Sequence, residues 1–270
     1  MIENITEKYI RQEVLPTPFC PGCGHGILMN IILRAIDELS LDWKKTVFVS
    51  GIGCAAWIPS PHFKADTLHT THGRAVAFAT GVKLFNPKLN VIVISGDGDL
   101  ASIGGNHLIH AARRDINIPV ICANNNIYGM TGGQCASTTP LGCKTATTPE
   151  GSSEPPFDLA KLVIGAGSGY VARATVMQPL VLKKYIKNAL IRSCIEGRGH
   201  ARPYKGMGGF SFIDALSPCF TQFGRRNKSS SRVDMMKNLK SDTVRAKTPE
   251  ELFSTPAHLK DKIVVGEYIK

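Results

Sequence analysis

Asp97 and Asn125 stand twenty-eight positions apart, in Gly96-Asp97-Gly98-Asp99 and Asn124-Asn125-Asn126. A carboxylate and an amide are hard oxygen ligands that suit Mg²⁺, and Mg²⁺ with few protein ligands usually completes its octahedron on phosphate oxygens. Glycines at 96 and 98 would let bare backbone approach such a phosphate and offer it N–H groups. A tight strand–helix turn with acidic caps is the plainer alternative for a lone Gly-Asp-Gly. The second set is thiolate. Cys20 and Cys23 flank Pro21-Gly22 in FCPGCGHG, Cys54 closes Gly51-Ile52-Gly53-Cys54, and Cys219 closes Ser217-Pro218-Cys219. A Cys-x-x-Cys pair alone would also fit a thioredoxin-type redox site. With Cys54 added, the pattern suggests zinc or iron–sulfur and asks for a fourth ligand. Cys219 is favoured over Cys194, because Cys219 follows a strand and Cys194 ends a helix.

Such residues must be carried to one place. Val91–Ser95 and Ile118–Ala123 are apolar and rich in β-branched residues, so they read as buried parallel strands, with a helix expected over Ser102–Arg114 between them. In an open α/β sheet the strand ends share the edge at which ligands bind. Apolar residues at helical spacing place a helix over Ile27–Leu39, so Cys20 and Cys23 lie on its entry loop. A strand at Thr46–Ser50 leads to Cys54, and one at Phe210–Leu216 leads to Cys219. Helices are expected at Ala75–Leu84, Asp158–Ala166 and Pro179–Cys194, with a short strand at Tyr170–Ala172. His72 and Arg74 at a helix start suit an anion, whereas His107 and His110 read as part of a polar helix face beside Arg113 and Arg114.

The stretch from Tyr128 to Pro156, rich in Thr, Gly and Pro and without periodicity, reads as an ordered active-site loop or lid. Cys135 and Cys143 within it read as incidental, and Cys122 as plain core. Glu196–Gly209 reads as a mobile basic surface loop, and residues 1–18 as a polar lead-in. The segments after Phe223 are short, charged and interrupted, and read as a tail crossing a neighbouring subunit. At 270 residues with 43% apolar content, the chain suits one large α/β domain with appendages, or two small ones. No apolar run approaches the ~18 residues needed to span a bilayer. The N-terminus lacks a signal pattern, and the uneven cysteines do not form a secreted disulfide framework, so the cytoplasm is expected. A net charge of +11 favours acidic partners or anionic cofactors. Arg225, Arg226 and Lys228 lack the aromatic interleaving of a nucleic-acid groove, and neither nucleic acid nor membrane is expected as a partner.

Together CPGCGHG, GIGC, TLHTTHGRA, SGDGDLASIGGNHLIHAARR, NNNIYGMTGGQ and SPC followed by TQFGRRN resemble the β subunits of 2-oxoacid:ferredoxin oxidoreductases, most closely the 2-oxoglutarate type, over residues 15–228. The resemblance implies a thiamine diphosphate-binding α/β fold of the diphosphate type, with a mostly parallel sheet, helices on both faces and an extended C-terminal tail. It divides the chain into a cofactor domain, 1–223, and a tail, 224–270, packing on a partner subunit. It implies that Asp97, Asn125 and Ile127 hold Mg²⁺. Ile52, Gly53, Cys54, Ala55, His72, Gly96, Gly98, Asp99, Gly129, Met130 and Thr131 would line the thiamine diphosphate. Cys20, Cys23, Cys54 and Cys219 would hold a [4Fe–4S] cluster. The implied reaction is coenzyme A-dependent oxidative decarboxylation of a 2-oxoacid, 2-oxoglutarate foremost and pyruvate or branched-chain acids next, with ferredoxin as acceptor. No catalytic residue is assigned in this chain. The activating Glu is expected on an α subunit carrying the pyrimidine-type domain, in an α2β2 or larger heteromer.

Two features depart from the family pattern: a long insertion at 192–208 bearing Arg198, Arg202 and Lys205, and Cys135-Ala136-Ser137 in the loop. The rivals are a non-redox thiamine diphosphate decarboxylase or synthase, which needs no four cysteines, and a zinc-stabilised binding module, which leaves Asp97 and Asn125 unexplained.

Overall fold

The computed structural model describes residues 4–195, 209–229, 231–253 and 262–269. The expected loop at 196–208, with Arg198, Arg202 and Lys205, lies outside them. In chain order the elements are α1 (Ile5–Tyr9), α2 (Gly24–Glu38), β1 (Thr46–Ser50), β2 (Asp66–His69), α3 (Ala75–Phe85), β3 (Asn90–Gly96), α4 (Gly105–Arg113) and β4 (Pro119–Asn124). They continue as α5 (Leu159–Gly165), β5 (Tyr170–Thr175), α6 (Pro179–Cys194), β6 (Ser211–Leu216), α7 (Arg232–Ser241), β7 (Thr243–Arg245), α8 (Pro249–Phe253) and β8 (Ile263–Ile269).

The eight strands form one sheet in the order β2-β1-β3-β4-β6-β5-β8-β7, parallel except where β8 runs against β5. From β1 the chain goes to β2 on one side and to β3 on the other, so the crevice between the β1 and β3 ends is a topological switch point. Alternation along β3 explains how it packs on both faces. Ile92 and Ile94 join the core under α2 and α6, with Leu28, Ile32, Ile36, Ile186 and Leu190. Val91 and Val93 join the opposite core under α3, α4 and α5, with Val76, Leu108 and Val163. Cys122 is buried in that second core, as expected of a small apolar residue.

Several expected elements change shape. α2 starts at Gly24 because the Cys23 sulfur caps it, accepting from His25 N–H at 3.4 Å. The helix expected from Ser102 is split into a π-helical turn at Gly98–Ile103 and α4, with Gly104 N–H bonding Asp99 C=O at 2.9 Å. Such wide turns recur at functional sites. The lead-in is anchored rather than loose: Tyr9 and Ile10 are buried, and the Tyr9 hydroxyl donates to Asp37 at 2.8 Å. The segment after Phe223, expected to lead away, brings β8 back to pair with β5 in the chain's own sheet, Arg173 facing Gly266. β2, an unremarked edge strand, pairs Ser50 with His69.

β5 also runs longer than its apolar residues suggest, because buried Arg173 continues it. Arg173 Nε donates to Asp214 at 2.7 Å and its Nη2 to Asp158, while Asn124 binds the other Asp214 oxygen at 2.9 Å. Burial alone would raise the Asp158 carboxyl, but the Arg173 charge and hydrogen bonds hold it below its ordinary value. Arg173→Met leaves buried Asp214 without its counter-charge and Asp158 with only Lys161, and is expected to cost about 3–5 kcal/mol by urea denaturation at neutral pH. A depressed carboxylate contributes stability above its unfolded value and loses it as pH falls through the folded one. The gap between wild type and variant should therefore narrow as pH falls below 3.8.

Candidate functional site

Asp99 gathers the edge. One of its oxygens accepts from Ile52 N–H at 3.2 Å and Gly73 N–H at 2.7 Å, and the other from the Ser95 hydroxyl at 2.7 Å. These groups follow β1, follow β2 and sit on β3, so one buried carboxylate ties three strand ends together. His72 Nδ1 lies 2.5 Å from the same Asp99 oxygen without the direction of a hydrogen bond, and its ring meets Tyr128 edge-on at 5.8 Å. Gly98 approaches the Tyr128 ring so closely that a Cβ would stand 2.5 Å from Cε1, and the Tyr128 hydroxyl donates to Gly98 C=O at 3.0 Å.

Beside this clamp Asp97 is fully buried. It accepts from Asn125 N–H at 3.2 Å and from the Thr138 hydroxyl. Burial pushes its carboxyl up to about 6, and the neutral donors offset only part of that cost. Asn125 Oδ1 accepts from Ile127 N–H at 3.1 Å. The result is an oxygen-rich pocket with a carboxylate in need of a positive neighbour.

Asp97, Asn125 and Ile127 line a narrow cleft of about 50 Å³ together with Ile52, Gly53, Cys54, Ala55, His72, Gly96, Gly98, Asp99, Gly129, Met130 and Thr131. All the cofactor-lining and Mg²⁺ candidates therefore meet at one place. Gly53, at φ +123°, makes the turn that only glycine makes easily and delivers Cys54 into it.

Cys20, Cys23, Cys54 and Cys219 line a second cavity of about 270 Å³. It shares Cys54, His25, Asn125, Gly129 and Met130 with the first. A Cβ on Gly129 would lie 3.6 Å from Cys219 Sγ, 3.9 Å from the Asn125 amide and 4.0 Å from Cys54 Sγ, so only a bare backbone separates thiols from amide. Burial, then the proximity of the other three thiols, pushes Cys54 up to about 11. Cys23 rises to about 11 by burial and by Cys219 and Cys20. Cys135, Cys143 and Cys194 line neither cavity.

Sequence reasoning passed over His25, Ser217 and Thr138. His25 is buried, its Nδ1 lies 2.7 Å from Ser217 Oγ, and burial lowers it to about 4, so it stays neutral. That bond, with Gly24 N–H on Pro218 C=O at 3.4 Å, fastens the Cys20–Cys23 loop to the Cys219 loop. The glycine-flanked His in CPGCGHG was the available signal.

Residues 51–201 match the family model described as thiamine pyrophosphate enzyme, C-terminal TPP binding domain. The 2-oxoglutarate synthase subunit KorB of Methanothermobacter marburgensis is 47% identical over 266 residues, covering 98% of this chain and 87% of that protein. The chain belongs to the β subunits of the 2-oxoacid:ferredoxin oxidoreductases. The KorB subunit of Methanocaldococcus jannaschii is likewise 47% identical, over 97% of this chain and 90% of its own length. The 2-oxoglutarate:ferredoxin oxidoreductase from Magnetococcus marinus, solved with 2-oxoglutarate, coenzyme A and succinyl-CoA bound, superposes with a TM-score of 0.83 at 30% identity, covering 100% of this chain and 86% of that one. The fold is thus the thiamine diphosphate-binding α/β fold, and no helix among the described residues is long and apolar enough to cross a membrane.

Within this β-subunit fold the Asp99 clamp carries the geometry. Asp99→Ala strips an acceptor from two backbone N–H groups and a hydroxyl. At about 1–3 kcal/mol per buried unsatisfied group, it should lower stability by about 3 kcal/mol or more in urea denaturation, with Asp99→Asn in between.

Proposed function

We propose that this β subunit serves a coenzyme A-dependent oxidation of 2-oxoglutarate to succinyl-CoA and CO₂, with thiamine diphosphate, Mg²⁺ and a [4Fe–4S] cluster as cofactors and ferredoxin as acceptor. One observation carries the reading: the four-thiol cavity and the Asp97–Asn125 cleft share a wall at Cys54 and Gly129. The names and bound ligands of the relatives support the substrate and coenzyme A.

The residues fit these groups. Asp97, the Asn125 side chain and the Ile127 carbonyl would hold Mg²⁺, which would offset the charge that burial makes costly on Asp97. Cys23 and Cys54, driven up by burial and by the neighbouring thiols, need a cationic centre to ionise. A single Zn²⁺ draws its sulfurs within ~2.3 Å of one point. A cavity of about 270 Å³ lined by all four thiols has room for a larger centre. When bound, thiamine diphosphate supplies the carbon nucleophile and electron sink for decarboxylation, and the cluster supplies one-electron acceptor chemistry.

This chain's own part is to bind, orient and exclude water. Gly96 and Gly98 would present bare backbone to a diphosphate, Asp99 fixes the Ile52 and Gly73 loops at the cleft, and Ile52, Ala55 and Met130 would provide apolar walls. The cleft of about 50 Å³ is one wall of a cofactor site, and among the described residues no Glu lines it. The aminopyrimidine-activating Glu would therefore come from an α subunit, completing an α2β2 or larger heteromer to which the 224–270 segment adds contacts.

Anaerobic purification of the complex should yield a brown protein containing iron and acid-labile sulfide, whose visible absorption bleaches on reduction. Cys54→Ser should lose most of that colour and iron. Succinyl-CoA formation should require both subunits and prefer 2-oxoglutarate in a panel with pyruvate and branched-chain 2-oxoacids. A colourless protein with stoichiometric zinc, or full turnover by the isolated chain, would refute the reading.

A further inference from the structure

We infer that the exposed arginine cluster around Phe220 is the docking surface for an acidic electron-carrier protein, placed beside the thiol cavity. The inference rests on the function proposed above and specifies where the acceptor lands.

Cys54 and Gly129 line the cofactor cleft as well as the thiol cavity, whereas Phe220 and Cys20, the exposed member of the quartet, line the thiol cavity and not the cleft. Over the Phe220 ring stand two guanidinium groups, Arg225 at 5.6 Å and Arg232 at 5.5 Å from its centre. The Arg232 stem also lies against Gly22, where a Cβ would stand 2.5 Å from its Cδ, so this side chain runs over the Cys20–Cys23 loop itself.

The π face of Phe220 attracts each guanidinium and holds the pair at the surface. Among the described residues neither Arg225 nor Arg232 has a carboxylate at ion-pair distance. Arg226, by contrast, is occupied by Gln222 and by Gly132 C=O. Exposed Lys228 lies in the same short segment as Arg225, and exposed Lys144 is tied to that segment by the bond between its backbone and Asn227. Asp234, the acidic residue beside Arg232, is engaged with Ser231 at the start of α7. Exposed Val233 adds an apolar spot next to Arg232.

A cation-rich face with an aromatic centre fits an acidic protein surface, and opposite charge speeds encounter and sets orientation. The names of the relatives identify the acceptor class as ferredoxin, a small iron–sulfur protein that must come close to the metal centre for electrons to pass.

The test uses the assembled complex with its partner subunit and a purified acidic ferredoxin as probe. The doubly substituted Arg225→Glu/Arg232→Glu complex should bind ferredoxin at least about tenfold more weakly at low salt, and the gap should shrink as added salt screens both complexes. Its cluster EPR signal and its reduction of a small viologen dye should match wild type. Arg225→Gln/Arg232→Gln should fall between the two and carries the test should the charge-reversed protein not fold. Ferredoxin affinity within twofold of wild type in the Gln and Glu complexes would overturn the inference. So would dissociation of the partner subunit, since the patch would then belong to the subunit interface. A wild-type complex without iron would instead defeat the underlying function, whatever the ferredoxin affinity.

Discussion

Everything at the functional edge hangs on the Asp99 carboxylate. A parallel sheet sets the spacing of its strands but not the path of the loops beyond them. Here one buried anion accepts from the chain after β1, after β2 and from β3 itself, and so converts three independent loop ends into one surface. The π-helical turn is the local cost of placing that carboxylate. An ordinary helix starting at Gly98 would rotate Asp97 and Asp99 differently, and the 2.9 Å bond from Gly104 N–H to Asp99 C=O holds the wider turn. Asp97 is thereby free to face Asn125 while Asp99 faces back into the loops.

The thiol quartet depends on a different fastening. Cys20 and Cys23 enter with α2, Cys54 with the loop after β1, and Cys219 with the end of β6, elements far apart in sequence. Ser217 N–H bonds Asn124 C=O at 2.7 Å, His25 bonds Ser217, and Gly24 has room for no side chain, since a Cβ would stand 2.6 Å from Ser217 Oγ. Neutral donors and close backbone approach do the joining, so no charge from the scaffold competes with the thiolates. The two sites then meet at Gly129, where a side chain would intrude between sulfur and amide.

How much of this was legible follows from what encodes it. Strands β1, β3, β4 and β6 and helices α3 and α6 are written in unbroken apolar period, and their expected bounds lie within a residue or two of the structure. The candidate residues could be named from the sequence because cysteines, Gly-Asp-Gly and Asn-Asn recur together at strand-end loops, and the fold brings them to one edge. What stayed hidden is tertiary. Arg173 inside β5 looks like a strand end until Asp158 and Asp214 are placed around it. β8 looks like tail because its partner, β5, lies almost a hundred residues earlier. His25 reads as one more polar residue until Ser217 arrives from β6.

The shape of what this chain lacks follows from the same geometry. The cleft side with Asp97, Gly96 and Gly98 is deep and polar, and Asp97 and Asp99 in it are buried. Its rim is different: Ile52, Met130 and, packed on Gly73, Ile103 are 37%, 47% and 42% exposed. Apolar side chains around the mouth of a polar cleft cost the isolated chain hydration and help only when another surface covers them. The polar floor would suit the charged end of a cofactor, and the exposed rim would suit a surface that covers it. Beside the thiol cavity the surface turns strongly basic around Phe220. An apolar rim on the cleft and arginines without a carboxylate partner among the described residues suit two partners of opposite kinds: one that stays, excluding water from the reaction, and one that leaves after each visit. Hydrophobic burial serves the first and screened charge the second, because charge raises the rate of encounter without the slow dissociation that a large apolar contact brings.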